Sequence, residues 1–121
     1  MKKVYWLSTC TTCRKILKDV KALKLGFETQ DIATEKISPD QLTEMKKFAG
    51  SYDALFSRRA INYREMGLKD VNLQENDLKK LILQEYTFLK RPVFLVNDRI
   101  FAGSEKKTII ELKKYLNRET A

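Results

Sequence analysis

The chain has 121 residues, 43% hydrophobic and 33% charged, with a formal net charge of +8 and no histidine. That length fits a single domain, 1–121, that needs no disulfide or metal staple to hold a core, and the composition excludes a disordered chain. The longest apolar runs, such as Val93-Phe94-Leu95-Val96, are too short to span a bilayer, and the apolar stretch at residues 4–7 is too short for a signal-peptide core.

A cytoplasmic protein with no membrane partner is therefore expected. The positive charge admits nucleic acid, acidic proteins or oxyanions as partners. The lysines, however, are spaced along helices, as in Lys15, Lys18, Lys21 and Lys24, with no run of five like charges. Solvated helix faces are expected rather than direct nucleic-acid binding.

In chain order, residues 3–7 read as a short buried strand. A helix follows over 12–24, with Ile16, Val20 and Leu23 on one face and Leu17 beside them. Gly26 stands after it, where a left-handed cap favours glycine. A second strand over about 27–31 completes a βαβ unit suited to parallel pairing. Ser38, Pro39 and Gln41 then spell a helix start: an N-cap, a proline in the first turn and a capping box. Ile37 and Leu42 are spaced for a hydrophobic staple, and Gly50 marks the end.

Further helical pieces are expected at 60–66 and 76–86, the second with Leu78, Leu81 and Ile82 facing the core. Strands at 93–96 and 99–102 are joined by Asn97-Asp98 as a two-residue turn. Ser104 is placed to cap a last helix with Ile109, Leu112 and Leu116 on one face. The order β-α-β, helical block, β-β-α predicts an α/β protein with a thioredoxin-like core (1–36 and 88–121) and a helical insertion over about 37–87.

That order puts the only two cysteines, Cys10 and Cys13, where the first strand ends and the first helix begins. A helix start offers unpaired N–H groups and a partial positive charge. Both stabilise a thiolate at Cys10, as does Arg14 nearby, and such sites bring the thiol pKa to ~3.5–7.5. Cys10, at the helix mouth, is the expected nucleophile. Cys13, inside the first turn, is the expected resolving thiol that closes a Cys10–Cys13 disulfide. Two inert packed cysteines are the rival reading. Zinc lacks two further ligands, so no metal is expected.

The stretches "CTTCR", "FSRRAINYREMGL" and "LKRPVFLVNDRIFAG" resemble the ArsC/Spx/YffB family over about residues 3–117. That family comprises glutaredoxin-coupled arsenate reductases, uncharacterised relatives and the Spx transcriptional regulators. The resemblance implies the thioredoxin-like fold with a helical insertion. It also implies that Cys10 is the nucleophile, and it aligns Cys13 and Arg14 with the second thiol and following arginine of Spx-type members. Reductases of the ArsC type usually carry serine where this chain has Cys13. Arg59 matches an arginine of the middle block, with Arg58 as the alternative alignment. Arg91 matches the arginine before a proline, here Pro92, that is expected to be cis. The third substrate arginine of the reductases has no counterpart: Ile100-Phe101-Ala102-Gly103 stands there, with Arg99 earlier.

Independently of the resemblance, an oxyanion needs several donors at fixed angles, which arginine forks and a helix mouth supply. Three functions follow as expectations. The first is a thiol oxidoreductase acting on an oxyanion or disulfide. It would hold no bound cofactor, with glutathione and glutaredoxin or thioredoxin as reductant. The second is an Spx-like regulator binding the RNA polymerase α subunit, with Cys10–Cys13 as a redox switch. The third is a fold kept only for binding.

Overall fold

The computed structural model describes residues 1–120. Its frame is one four-stranded mixed sheet in the order β2-β1-β3-β4. The strands are β1 (Lys2–Trp6), β2 (Glu28–Asp31), β3 (Val93–Val96) and β4 (Arg99–Ala102). β1 pairs parallel with β2, as a βαβ unit requires, and antiparallel with β3; β3 and β4 form the hairpin. All four residues of β3 are buried, because a central strand covered on both faces has no solvent side to alternate with.

The pleat sorts the apolar residues into two cores. Val4, Phe94, Val96 and Phe101 face α1 (Thr11–Asp19) and α5 (Lys106–Thr120), where they meet Ile16, Leu17, Leu112 and Leu116. The Phe27 and Phe94 rings meet edge to face there at 5.5 Å. Tyr5, Val93 and Leu95 face the other way, onto Leu42, Met45, Leu55, Leu78 and Ile82 of the insertion. That insertion contains α2 (Pro39–Ala49), α3 (Ile61–Glu65) and α4 (Glu75–Gln84), joined through single 3-10 turns.

The start of α2 forms as its residues dictate. The Ser38 side chain accepts from the Gln41 N–H at 3.0 Å, and the Gln41 side chain accepts from the Ser38 N–H at 3.1 Å. Buried Ile37 and Leu42 supply the staple, and Gly50 closes the helix at φ +93. Gln41 also exchanges hydrogen bonds with buried Gln30 of β2, which ties the insertion to the sheet edge.

Two expectations are corrected. The first helix ends at Asp19, five residues early, and Leu23 is 75% exposed. Lys21 takes the left-handed conformation in place of a glycine (φ 57), with Lys21 N–H bonded to Lys18 and Ala22 N–H to Leu17, a Schellman closure. Gly26, at φ +86, closes the next turn in the same way, through Phe27 N–H to the Ala22 carbonyl. The periodicity continued past the stop because one left-handed residue ends a helix without interrupting its apolar spacing. The last helix begins at Lys106, so Glu105 rather than Ser104 precedes its first turn.

Candidate active site

Cys10 is the N-cap of α1. Its backbone is extended (φ -87, ψ 115), and its side chain accepts from the first turn of the helix. The Cys13 N–H points at Cys10 Sγ at 3.5 Å. The loop before it is held from the neighbouring strand. Asp31, at the end of β2, accepts from both the N–H and the hydroxyl of Ser8 and from the Ala33 N–H. These bonds, the Ser8 hydroxyl first, hold the Asp31 carboxyl below its ordinary pKa. Neither Ser8 nor Asp31 stood out in the sequence, where Asp31 read only as a strand end.

The two thiols differ sharply. Burial pulls the Cys10 pKa up, but the Cys13 N–H, the Cys13 thiol, the Thr12 backbone and the charge of Arg91 outweigh it, and Cys10 lies below its ordinary value of 9.0. Cys13 is fully buried, and burial pushes its pKa up to about 11. Cys10 thus gives up its proton more readily than Cys13, which is the protonated thiol behind it at neutral pH.

Cys10 opens into a cavity of about 420 Å³, with Arg58, Arg59, Lys90 and Arg91 in its walls. Four separate segments meet there, around residues 10–12, 56–59, 89–91 and 102–105. The clamp between two of them is a short backbone ladder: Ser57 N–H donates to the Phe88 carbonyl at 2.6 Å, and Lys90 N–H donates to the Leu55 carbonyl at 2.8 Å. Beneath it Phe56 and Phe88 stack at 5.2 Å. On the insertion side, Glu75 at the start of α4 accepts from the Tyr52 and Asp53 N–H groups and fixes the approach to residues 58 and 59.

Arg91 sits on the other wall. Its Nη1 donates to the Thr87 and Leu89 carbonyls at 3.0 and 3.2 Å, which fixes its side chain, and the Arg91-Pro92 bond is cis. Arg58 is paired with Asp53 at 2.7 Å and lies over the Phe56 ring at 5.4 Å. Arg59 makes no ion pair or hydrogen bond with any described residue.

The structure thus brings Cys10, Arg59 and Arg91 to one cavity, with buried Cys13 behind Cys10. Pro92 is buried next to Arg91. Arg14 is exposed on α1 and does not line the cavity; the cation that acts on Cys10 is Arg91. Arg99 packs over the Phe101 and Tyr115 rings at 5.6 and 5.1 Å, so it is engaged with the α5 core. Among the described residues, no three of Cys, Asp and Glu are grouped to hold a metal ion, and no helix is long and apolar enough to cross a membrane.

A thiol at the mouth of a helix that follows β1, in a sheet of this order, defines a thioredoxin-like protein. The chain belongs to the ArsC family, whose model matches residues 5–112. It is 22% identical over 117 residues to a global transcriptional regulator Spx of Lactiplantibacillus plantarum, covering 96% of this chain and 86% of that one. A Staphylococcus aureus Spx regulator is 24% identical over 112 residues, covering 92% and 83%. The solved arsenate reductase of Vibrio cholerae superposes with a TM-score of 0.76 at 17% identity, covering 91% of this chain and 95% of that one. The chain is thus similar in sequence to named regulators and in fold to a named reductase.

Proposed function

We propose that the chain is a cytosolic thiol oxidoreductase whose Cys10 thiolate attacks an oxyanion of the arsenate class held by Arg59 and Arg91. The observation that carries this reading is the shared cavity: a thiol of lowered pKa, an anchored arginine and an unpaired arginine face the same space. In the first step Cys10 Sγ bonds to arsenic(V) and one oxygen leaves as water. In the second, Cys13 or a glutathione thiol attacks Cys10 Sγ. The new S–S bond replaces the S–As bond, and the electron pair of the broken bond goes to arsenic, which departs as arsenic(III). The proton of the attacking thiol goes to the departing oxyanion. No bound cofactor is needed. A dithiol system, glutathione with glutaredoxin or thioredoxin, reopens the disulfide.

The test is arsenate-dependent NADPH oxidation with each of those two systems. Turnover that requires arsenate and is lost in Cys10→Ser supports the reading; no arsenate-dependent oxidation with either system overturns it.

A second reading is favoured by the two Spx regulators that align over most of their length, and by a thiol at position 13. Here the Cys10–Cys13 pair is a switch and the partner is the RNA polymerase α subunit. Retention of the α subunit by one redox form of the chain and not the other supports it.

A further inference from the structure

We propose that Lys90 is a substrate-binding residue: its ammonium supplies a further cation to the Cys10 cavity, fitting the cavity to a multiply charged oxyanion rather than to a neutral disulfide. This deepens the reading of the cavity as an oxyanion site and rests on it.

Three observations converge on Lys90. It lines the cavity that Cys10, Arg59 and Arg91 share. Its stem lies against Gly103 on the loop after β4: a Cβ at Gly103 would stand 3.7 Å from the Lys90 Cδ and 3.8 Å from its Cβ. Its ammonium has no hydrogen bond or ion pair with any described residue.

Gly103 holds φ +102, a conformation that side chains rarely adopt, so the loop following the last strand presents bare backbone there. The stem of Lys90 crosses that bare surface, as a long cationic side chain does when it packs its methylenes and leaves the charge in the open. The loop itself offers no cation, since residues 100–103 are Ile, Phe, Ala and Gly, and Arg99 is turned to Phe101 and Tyr115. The positive charge on that wall comes instead from the neighbouring segment.

The backbone of Lys90 is pinned separately, through its N–H to the Leu55 carbonyl at 2.8 Å. The side chain is therefore not what keeps the insertion clamped. The cavity walls carry four cations against one carboxylate, Glu105, and among the described residues only Arg58 of the four has an acidic partner. An excess of this size suits a ligand of charge −2 better than an uncharged one. The charge acting on the Cys10 sulfur is that of Arg91, not Lys90. Removing Lys90 should therefore weaken the ligand and leave the nucleophile unchanged.

The experiment measures sulfate binding to the reduced protein by titration calorimetry at matched ionic strength, beside the pH profile of Cys10 alkylation by iodoacetamide. The proteins are wild type, Lys90→Met and Lys90→Arg. Lys90→Met should weaken sulfate about tenfold, at the low end for a charge-assisted contact because the residue is half-exposed. Lys90→Arg should stay within about threefold of wild type, since charge persists with a different fork. Both variants should alkylate with the wild-type pH profile and unfold at the wild-type temperature.

Equal sulfate affinity in wild type and Lys90→Met overturns the assignment while the oxyanion reading stands. Loss of binding with a shifted alkylation profile, in both variants, overturns it in favour of a structural role. Absence of sulfate binding in the wild type overturns both the assignment and the oxyanion reading.

Discussion

Two clefts of this molecule are lined by clustered cations, and they differ in what the cations face. The first is the Cys10 cavity. The second, of about 350 Å³, lies between the ends of α1 and α5 and is lined by Lys21, Lys24 and Lys113. In the second cleft Lys113 is already paired with Asp19 at 2.6 Å, both partners half in solvent, and no cysteine is among the described residues that line it. In the first, Arg91 is anchored by two carbonyls that carry no net charge, so its own charge stays available to a ligand and to Cys10. Positive charge alone thus does not distinguish a site in a chain with a net charge of +8. What distinguishes it is a cation held in place by neutral groups beside a thiol of lowered pKa.

Four changes break or sharpen that contrast. The largest effect belongs to Cys10→Ser, which removes the reacting sulfur and leaves the walls intact. Arsenate-dependent turnover should fall to background while sulfate binding stays near wild type, read by NADPH oxidation and calorimetry. Turnover surviving in this variant places the chemistry elsewhere.

Arg91→Ala should come next. It loses a charge-assisted contact of ~1.5–3 kcal/mol, so sulfate should bind roughly ten- to a hundredfold more weakly. The alkylation pKa of Cys10 should also rise, because the charge that helps hold the thiolate is gone. Both quantities moving together separates Arg91 from Lys90.

The thiol pair predicts a pH signature in stability. Cys13 keeps its proton in the folded chain to about 11 against an ordinary value of 9.0. Between those values the unfolded chain has lost a proton that the folded chain retains, so stability falls as pH rises. Buried Tyr5, pushed up to about 12 from 10.0, extends the fall. Cys10 has the opposite sign: its contribution is present above its ordinary value and is lost as pH falls through its lowered one. Urea denaturation from pH 7 to 11 should show the decline above about 9 become shallower in Cys13→Ala. An unchanged slope contradicts a buried neutral Cys13.

The smallest effect is expected in the second cleft. Lys113→Ala breaks an exposed ion pair worth about 0–1 kcal/mol. Neither sulfate affinity nor Cys10 alkylation should respond. A loss of sulfate binding there of the size seen for Arg91→Ala removes the distinction between the clefts.

By itself the sequence determined what is local or periodic. The α2 start is complete in Ser38, Pro39 and Gln41, because capping is a matter of neighbours three residues apart. The β3–β4 hairpin and the pairing of Cys10 with a helix mouth are equally short-range. The stop of α1 at Asp19 was not legible, since Lys21 takes a left-handed conformation that its residue type does not announce.

Only the tertiary structure decided which cations share the cavity. Arg14 is closest in sequence to Cys10 yet faces solvent, while Arg91 acts on Cys10 from the segment before β3. Arg59 and Lys90 reach the same space because two backbone bonds, from Ser57 to Phe88 and from Lys90 to Leu55, close a loop of about thirty residues. A backbone bond of that kind has no residue-type signature, since any N–H and any carbonyl can make it.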